Sequence, residues 1–111
     1  MNAFEILADP VRRRILELLS AGECTAGELT AAVRDEFGIS QPAVSNQLRV
    51  LRDSGFARDE RRGSHRLYTL RDDALDEVTD WIDRYRGFWR NRLDALETEL
   101  ARDARDGGDR D

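Results

Sequence analysis

The chain has 111 residues, which is enough for one domain over 1–102 and a short tail and leaves little room for a separate catalytic module. Forty per cent of the residues are hydrophobic and 37% are charged, and no apolar run is long enough to span a membrane, so we expect a soluble cytoplasmic protein without a membrane partner. One cysteine, Cys24, and one histidine, His65, exclude an internal disulfide and a closed Cys/His metal site.

Positive charge is concentrated in the middle of the chain and comes entirely from arginine. Residues 40–71 carry seven arginines and three acidic residues, a net charge of +4, whereas residues 1–39 carry −3 and residues 72–111 carry −6. A polyanion responds to the local field of a protein rather than to its total charge of −5. The middle third is therefore the candidate surface for nucleic acid. The acidic excess elsewhere is equally consistent with a protein from a high-salt cytoplasm.

The first residues predict a short helix and, after Asp9 and Pro10, a second one. Aspartate caps free backbone N–H groups, and proline fits the first turn of a helix, where its missing N–H costs nothing. We expect the arginines that follow to form a solvated face on which Arg13 pairs with Glu17. The buried stripe of this helix is predicted to be Val11, Ile15, Leu18 and Leu19.

Thr25 and Glu28 have the spacing of a capping box, which predicts a third helix that ends at Gly38. Cys24 lies at the start of this helix, where the helix dipole would stabilise a thiolate. A redox-sensing thiol is therefore an alternative to a small buried residue.

A fourth helix is predicted to begin at Ser40, with Pro42 in its first turn and Gly55 as its stop signal. Its buried stripe consists of Val44, Leu48 and Leu51. The segment from the third helix to the fourth therefore predicts a helix-turn-helix, a unit whose second helix enters a DNA groove.

The hydrophobic period changes after Gly55. Residues 56–59 and 65–70 predict two short strands joined by a turn at 60–64, which together form a basic β-hairpin. A helix-turn-helix followed by such a hairpin predicts a mainly α fold with a small β-hairpin, the winged helix-turn-helix.

A long C-terminal helix is predicted over about 73–101, capped by Asp72 or Asp73. At 1.5 Å per residue it would be roughly 40 Å long, too long for a core of this size to cover, so we expect a partner helix and a dimer. Its aromatic cluster, at 81–89, favours interface packing over an effector pocket. Residues 103–111 hold no hydrophobic residue larger than alanine and predict a disordered acidic tail.

Three stretches together resemble the ArsR-type winged helix-turn-helix transcriptional regulators. They are Ala8-Asp-Pro-Val-Arg-Arg-Arg-Ile-Leu-Glu-Leu-Leu, Gly27-Glu-Leu, and Ser40-Gln-Pro-Ala-Val-Ser-Asn-Gln-Leu-Arg-Val-Leu-Arg-Asp-Ser-Gly-Phe. The resemblance, over about residues 3–100, implies a homodimeric repressor whose first and last helices form the subunit interface. It implies that helix 40–53 lies in the major groove of operator DNA and that hairpin 56–70 is a wing beside the minor groove.

The chain departs from this resemblance in three places. Gln47 stands where the family usually has histidine, and the stretch before Ser40 is longer by about one helical turn. Metal-sensing members carry cysteines on the helix before the recognition helix or Asp, His and Glu ligands on the last helix, whereas residues 25–37 contain no cysteine and residues 73–101 no histidine. The resemblance therefore implies a metal-independent member without a cofactor.

The polar face of helix 40–53 and the hairpin supply the predicted DNA contacts. Asparagine and glutamine can pair with adenine, arginine with guanine, and hairpin arginines can contact phosphate or the minor groove. The predicted DNA-binding residues are Ser40, Gln41, Ser45, Asn46, Arg49, Arg61, Arg62, His65 and Arg66. The predicted dimer-interface residues are Phe4, Leu7, Leu75, Val78, Ile82, Tyr85, Trp89, Leu93 and Leu96.

Two alternatives use the same scaffold. One is an effector- or redox-sensing regulator, and the other is a dimeric protein-interaction module that has lost DNA binding, which the net negative charge favours. An enzyme is disfavoured, because the single histidine lies in the hairpin and Cys24 has no base nearby in the sequence.

Overall fold

The computed structural model describes residues 1–108. They form two compact units, one over Met1–Glu77 and one made of the last helix from Val78 onward. The helices and strands, in chain order, are α1 (Ala3–Ala8), α2 (Pro10–Ser20), β1 (Cys24–Thr25), α3 (Ala26–Phe37), α4 (Gln41–Asp53), β2 (Ala57–Arg62), β3 (His65–Leu70) and α5 (Asp76–Gly108).

The starts of three helices in the first unit are fixed by side-chain caps, as the sequence predicted. Asp9 accepts hydrogen bonds from the backbone N–H groups of residues 11 and 12 at 2.8 and 3.2 Å. Thr25 and Glu28 form a capping box, with both hydrogen bonds at 3.1 Å. Ser40 accepts from the N–H of residue 43 at 3.3 Å. Each cap satisfies N–H groups that the helix itself leaves free, so the helix starts are set locally.

The core of the first unit lies between helices α1 to α4 and the sheet. Burying one such aliphatic side chain is worth about 1.5–3 kcal/mol, so these residues fix the direction in which each helix faces. The larger buried side chains are Ile6, Ile15, Leu16, Leu19, Leu29, Val33, Val44, Leu48, Leu51, Phe56 and Tyr68.

The three strands form one antiparallel sheet in the order β1–β3–β2. Strand β2 continues to Arg62, three residues beyond the predicted end at 59, and pairs there with His65. The connecting turn is only Gly63 and Ser64, and Gly63 has a φ of +59°. Two-residue turns with positive φ match the twist of paired strands, which is why the ladder runs to the tip. Strand β1 was not predicted, because two residues are too few to show a period.

Helix α5 differs from its prediction at both ends. It begins at Asp76, and residues 71–76 form two turns closed by hydrogen bonds from Ala74 N to Arg71 O and from Asp76 N to Asp73 O. Residues 103–108 are helical, where the composition predicted a disordered tail. Alanine and arginine are strong helix formers, and they continue the helix beyond its last leucine. The remaining residues of the predicted tail, 109–111, lie outside the described residues.

Within residues 1–108, no helix is both long enough and apolar enough to cross a lipid bilayer.

Candidate nucleic-acid interface

Helix α4 has one buried face and one polar face. Val44, Leu48 and Leu51 are buried, and at 100° per residue the opposite side of the helix is turned to solvent. All five residues predicted here to contact DNA are exposed: Ser40, Gln41, Ser45, Asn46 and Arg49. Because the buried stripe holds the helix in one rotational position, these polar groups form a continuous surface.

Arg49 and Asn46 are bonded to each other on this surface, the guanidinium donating to the side-chain amide oxygen. Within the described residues, Arg49 makes no ion pair, so its full charge faces solvent. Arg52, one turn later, differs. It bonds Asp53 at 3.1 Å and Asp59 at 3.4 Å, and these contacts raise its pKa. Arg49 is thus the arginine of α4 whose positive charge no carboxylate offsets.

A groove runs between α3, α4 and strand β3. Its floor is made of small and apolar residues, and its rim carries Arg34, Gln41, Ser45 and Arg66. The described residues that line it include no acidic side chain. Two of the predicted DNA-binding residues of α4 therefore share one groove with a hairpin arginine.

The hairpin residues predicted to contact DNA lie on two faces of the sheet. Directly opposed residues of an antiparallel pair share a face, so Arg61 and Arg66 are on one side and Arg62 and His65 on the other. All four side chains are exposed at the end of the hairpin. The structure therefore brings them to one tip but does not align them on one surface.

The hairpin arginines differ in whether they pair with carboxylates. Arg62 pairs with Glu60 at 3.4 Å and with Glu23 at 3.6 Å. Within the described residues, Arg61 bonds only a backbone oxygen, that of Gly63, at 3.4 Å. An arginine already paired must exchange that partner before it binds phosphate, so Arg61 is the better placed of the two for an anion.

Asp59 lies on the same face of the hairpin as Arg61 and Arg66 and binds two arginines. Its side chain is 13% exposed and accepts hydrogen bonds from Arg66 at 2.5 Å and from Arg52 at 3.4 Å. Burial alone would raise the pKa of Asp59, but the two guanidinium groups outweigh it and hold the pKa below its ordinary value. Asp59 thereby ties Arg66 of the hairpin to Arg52 at the end of α4.

Arg34 on α3 is the residue of this surface that sequence reasoning missed. It lies on the rim of the groove, and within the described residues its side chain makes no ion pair. Arg34 lies in residues 1–39, which carry a net charge of −3, so the net charge of that segment did not indicate a cationic residue at the interface. The one indication in the sequence was the spacing of polar positions along α3, which places Arg34 on the exposed side of that helix.

The arginine triplet of α2 does not form the predicted solvated face. Arg14, and not Arg13, pairs with Glu17, and it also bonds Glu36 on α3 at 2.9 Å. Arg13 donates to the backbone oxygen of Leu7 at 2.5 Å. The carbonyl groups at the end of α1 have no hydrogen-bond partner within that short helix. Arg13 therefore donates to one of them and not to Glu17.

Cys24 does not have the character of a reactive thiol. It lies in strand β1, directly before Thr25, the N-cap residue of α3, and its Sγ is 3.6 Å from the backbone oxygen of Gly22. Burial raises the pKa of the thiol, and the nearby carboxylate of Glu28 raises it further. The thiolate stabilised by a helix dipole is therefore a wrong expectation. In the described part of the chain, no three His, Cys, Asp or Glu side chains come together as a metal site.

The predicted dimer-interface residues are accessible in each unit. In the first unit Phe4 is 41% exposed, Leu75 is exposed and Leu7 is half-buried. Along α5, Trp81 stacks on Tyr85 with ring centroids 5.0 Å apart. The predicted interface residues of α5 that are exposed or half-exposed are Val78, Ile82, Tyr85, Trp89, Leu93 and Leu96.

Comparison with known proteins shows that the chain is similar to transcriptional regulators. Residues 7–60 match a family model described as a helix-turn-helix domain. The chain is 35% identical over 81 residues to the transcriptional repressor SdpR of Bacillus subtilis, covering 73% of this chain and 86% of that protein. It is 35% identical over 92 residues to the HTH-type transcriptional regulator Rv2034 of Mycobacterium tuberculosis, covering 83% and 79% respectively.

Solved structures show the same architecture. The structure of a possible transcriptional regulator for arsenical resistance is 33% identical, with a TM-score of 0.65, and the match covers 89% of this chain and 96% of that one. The ArsR family transcriptional regulator RHA00566 is 30% identical, with a TM-score of 0.67, over 79% and 87%. The predicted winged helix-turn-helix fold is therefore confirmed.

Proposed function

The chain belongs to the ArsR family of winged helix-turn-helix transcriptional regulators, and from this premise we propose that it binds operator DNA as a homodimer and represses transcription. The observation that carries the proposal is the exposed polar face of α4. It is held in place by a buried stripe, and it carries Arg49, which pairs with no carboxylate of the described residues.

The base contacts are assigned to the first three turns of α4. Gln41 and Asn46 can exchange paired hydrogen bonds with adenine, and Arg49 can do so with guanine through O6 and N7. Ser45 lies between them on the same face, and Ser40 leaves backbone N–H groups at the helix start for a phosphate. This arrangement corresponds to a recognition helix that lies in the major groove.

Phosphate contacts are assigned to the arginines that are not already paired with a carboxylate of the described residues. Arg61 on the hairpin and Arg34 on the groove rim make no ion pair within the described residues, so an approaching phosphate meets their full charge. Arg62 and Arg66 are predicted DNA-binding residues too, but each must first release a carboxylate. His65, beside them at the tip, is assigned a phosphate contact through its imidazole.

Dimerisation is assigned to the accessible apolar residues of α1 and α5. Helix α5 spans 33 residues and presents a stripe of exposed leucine and aromatic side chains, a pattern typical of a helix that packs on a partner helix. A homodimer carries two copies of α4, and the spacing of its half-sites on DNA is about one helical turn.

The same premise locates the protein and limits its chemistry. A regulator of transcription acts in the cytoplasm, and we infer no enzymatic activity, cofactor or metal effector for it. A site for a soft metal or metalloid needs several thiolates, and the chain has a single cysteine.

Selection of DNA from fragments of the source genome tests the proposal. The purified chain should enrich a near-palindromic site, and its affinity for that site should fall steeply with salt. The R49A variant should enrich the same DNA weakly or not at all. Recovery of random fragments by both proteins would contradict sequence-specific binding.

A further inference from the structure

A polar network joins the recognition helix to the N-terminal helix. The side chain of Arg12 on α2 is 11% exposed and donates to the amide oxygen of Gln47 on α4 at 3.1 Å. The same guanidinium donates to the backbone oxygens of Ile6 and Glu5 in α1, at 3.1 and 2.9 Å. One side chain therefore contacts both helices.

Gln47 closes the network from the other side. Its amide nitrogen donates to the carboxylate of Asp9 at 3.5 Å, and Asp9 lies 3.8 Å from Arg12 as an ion pair. The amide of glutamine supplies both the acceptor that Arg12 needs and the donor that Asp9 needs. An arginine with so little exposure is costly to leave unbonded, so the network has one preferred arrangement.

The position of Gln47 on α4 makes this arrangement relevant to DNA. It is half-buried and lies between Asn46, which is exposed, and Leu48, which is buried. A bond at this edge of the helix opposes rotation of α4 about its own axis. Such rotation would redirect Asn46 and the arginine bonded to it, and contacts of this kind need placement within about 0.5 Å and 10–20°.

We propose that Arg12 and Gln47 are positioning residues, which couple α1 to the orientation of the recognition helix. Helix α1 also carries Phe4, which belongs to the proposed subunit interface. Packing of two subunits through α1 is thereby connected to the direction in which α4 presents its base-reading groups. The inference rests on the proposed function, since the orientation of α4 matters only if α4 reads DNA.

A double-mutant cycle on operator affinity tests the coupling. R12M and Q47M remove the polar groups and leave an unbranched apolar side chain. Each should weaken operator binding about five- to tenfold, which corresponds to the net contribution of one ordinary hydrogen bond. Binding to random duplex should be unchanged, because phosphate contacts do not depend on base register. The double variant should bind operator DNA no more weakly than the weaker-binding of the two single variants.

Arg13 supplies the matched control. It also donates to a carbonyl of α1 but has no bond to α4, so R13M should keep the operator affinity of the parent. Measurements are made well below the melting temperature of each variant. Q47M leaves both bonds from Arg12 to α1 intact, so it tests the coupling even if R12M fails to fold.

The outcomes separate the two proposals. If the parent binds operator and R12M and Q47M bind it equally well, or if their effects add as at independent sites, the coupling is overturned while the proposed function stands. If the parent shows no preference for any duplex, the proposed function is overturned, and the coupling with it.

Discussion

The carboxylate of Asp59 on β2 accepts a hydrogen bond from the guanidinium of Arg66 on β3 at 2.5 Å. The same carboxylate also accepts from Arg52, so D59N should leave Arg66 without its carboxylate partner and Arg52 with Asp53 alone. We expect this loss to lower the free energy of unfolding by about 1–3 kcal/mol near neutral pH. D53N is the control, since Asp53 is 62% exposed and, among the residues that the structure describes, pairs only with Arg52. Urea unfolding of the three proteins measures the difference.

The pH dependence of this difference has a definite sign. The pKa of Asp59 is lower in the folded protein than its ordinary value of 3.8, so folding favours the charged carboxylate. The stabilisation is complete above about pH 4 and is lost as the pH falls through the lower, folded-state pKa. The gap between parent and D59N should therefore narrow below pH 4. A gap that widens on acidification would contradict the assignment.

Arg49 tests base readout. R49A should weaken binding to the selected operator by about 1–3 kcal/mol and relax the preference at one base pair of each half-site. Titration of the variant against operators changed one base pair at a time measures both effects. Equal losses on operator and on random DNA would show that Arg49 contacts phosphate and not a base.

Arg34 and Arg61 test the phosphate assignment. Removal of either guanidinium should weaken binding to all sequences alike and reduce the slope of log affinity against log salt by about one per phosphate contact in each subunit. R14A is a control of equal charge, because Arg14 is already held by Glu17 and Glu36. An unchanged slope in R34A would remove α3 from the interface.

Leu96 tests the dimer. A negative charge at this exposed apolar position should be costly to bury between subunits, so L96D should sediment as a folded chain of 12.7 kDa. T98D adds the same charge to a polar position of α5 and should remain dimeric. Dissociation of both variants would assign the effect to net charge and not to the apolar stripe.

Cys24 tests the redox-sensing alternative. Burial raises the pKa of its thiol, so the thiolate that oxidants attack is scarce at neutral pH. We expect C24S to bind operator as the parent does, and peroxide treatment to leave the affinity of both proteins unchanged. Loss of binding by the oxidised parent alone would restore the redox-sensing hypothesis.

The sequence predicted those features that depend on neighbouring residues. The three caps and the stripe of α4 follow from spacings of three and four residues, within the reach of a single helical turn. The bond from Arg14 to Glu36 joins positions 22 residues apart, and the bond from Arg12 to Gln47 joins positions 35 apart. The local sequence had indicated only Glu17, within one turn, as a partner for the arginine triplet. Such contacts depend on how α2 packs against α3 and α4, which local patterns do not specify.

The same limit applies to the DNA-binding surface. Alternation along the hairpin predicted two strands. Which hairpin arginine remains unpaired depends on the folded structure, because Glu23 pairs with Arg62 and Asp59 pairs with Arg66. Arg34 was missed for the related reason that its position beside α4 is a property of tertiary packing and its own segment is acidic.

The central claim is that two copies of this chain bind one duplex through their recognition helices. Sedimentation of the parent with a selected near-palindromic operator, labelled on the DNA, measures the stoichiometry and the preference together. We predict two chains per duplex, with half-sites about one helical turn apart and little binding to a scrambled duplex of equal length. A single chain per duplex, or equal binding to both DNAs, would contradict the claim.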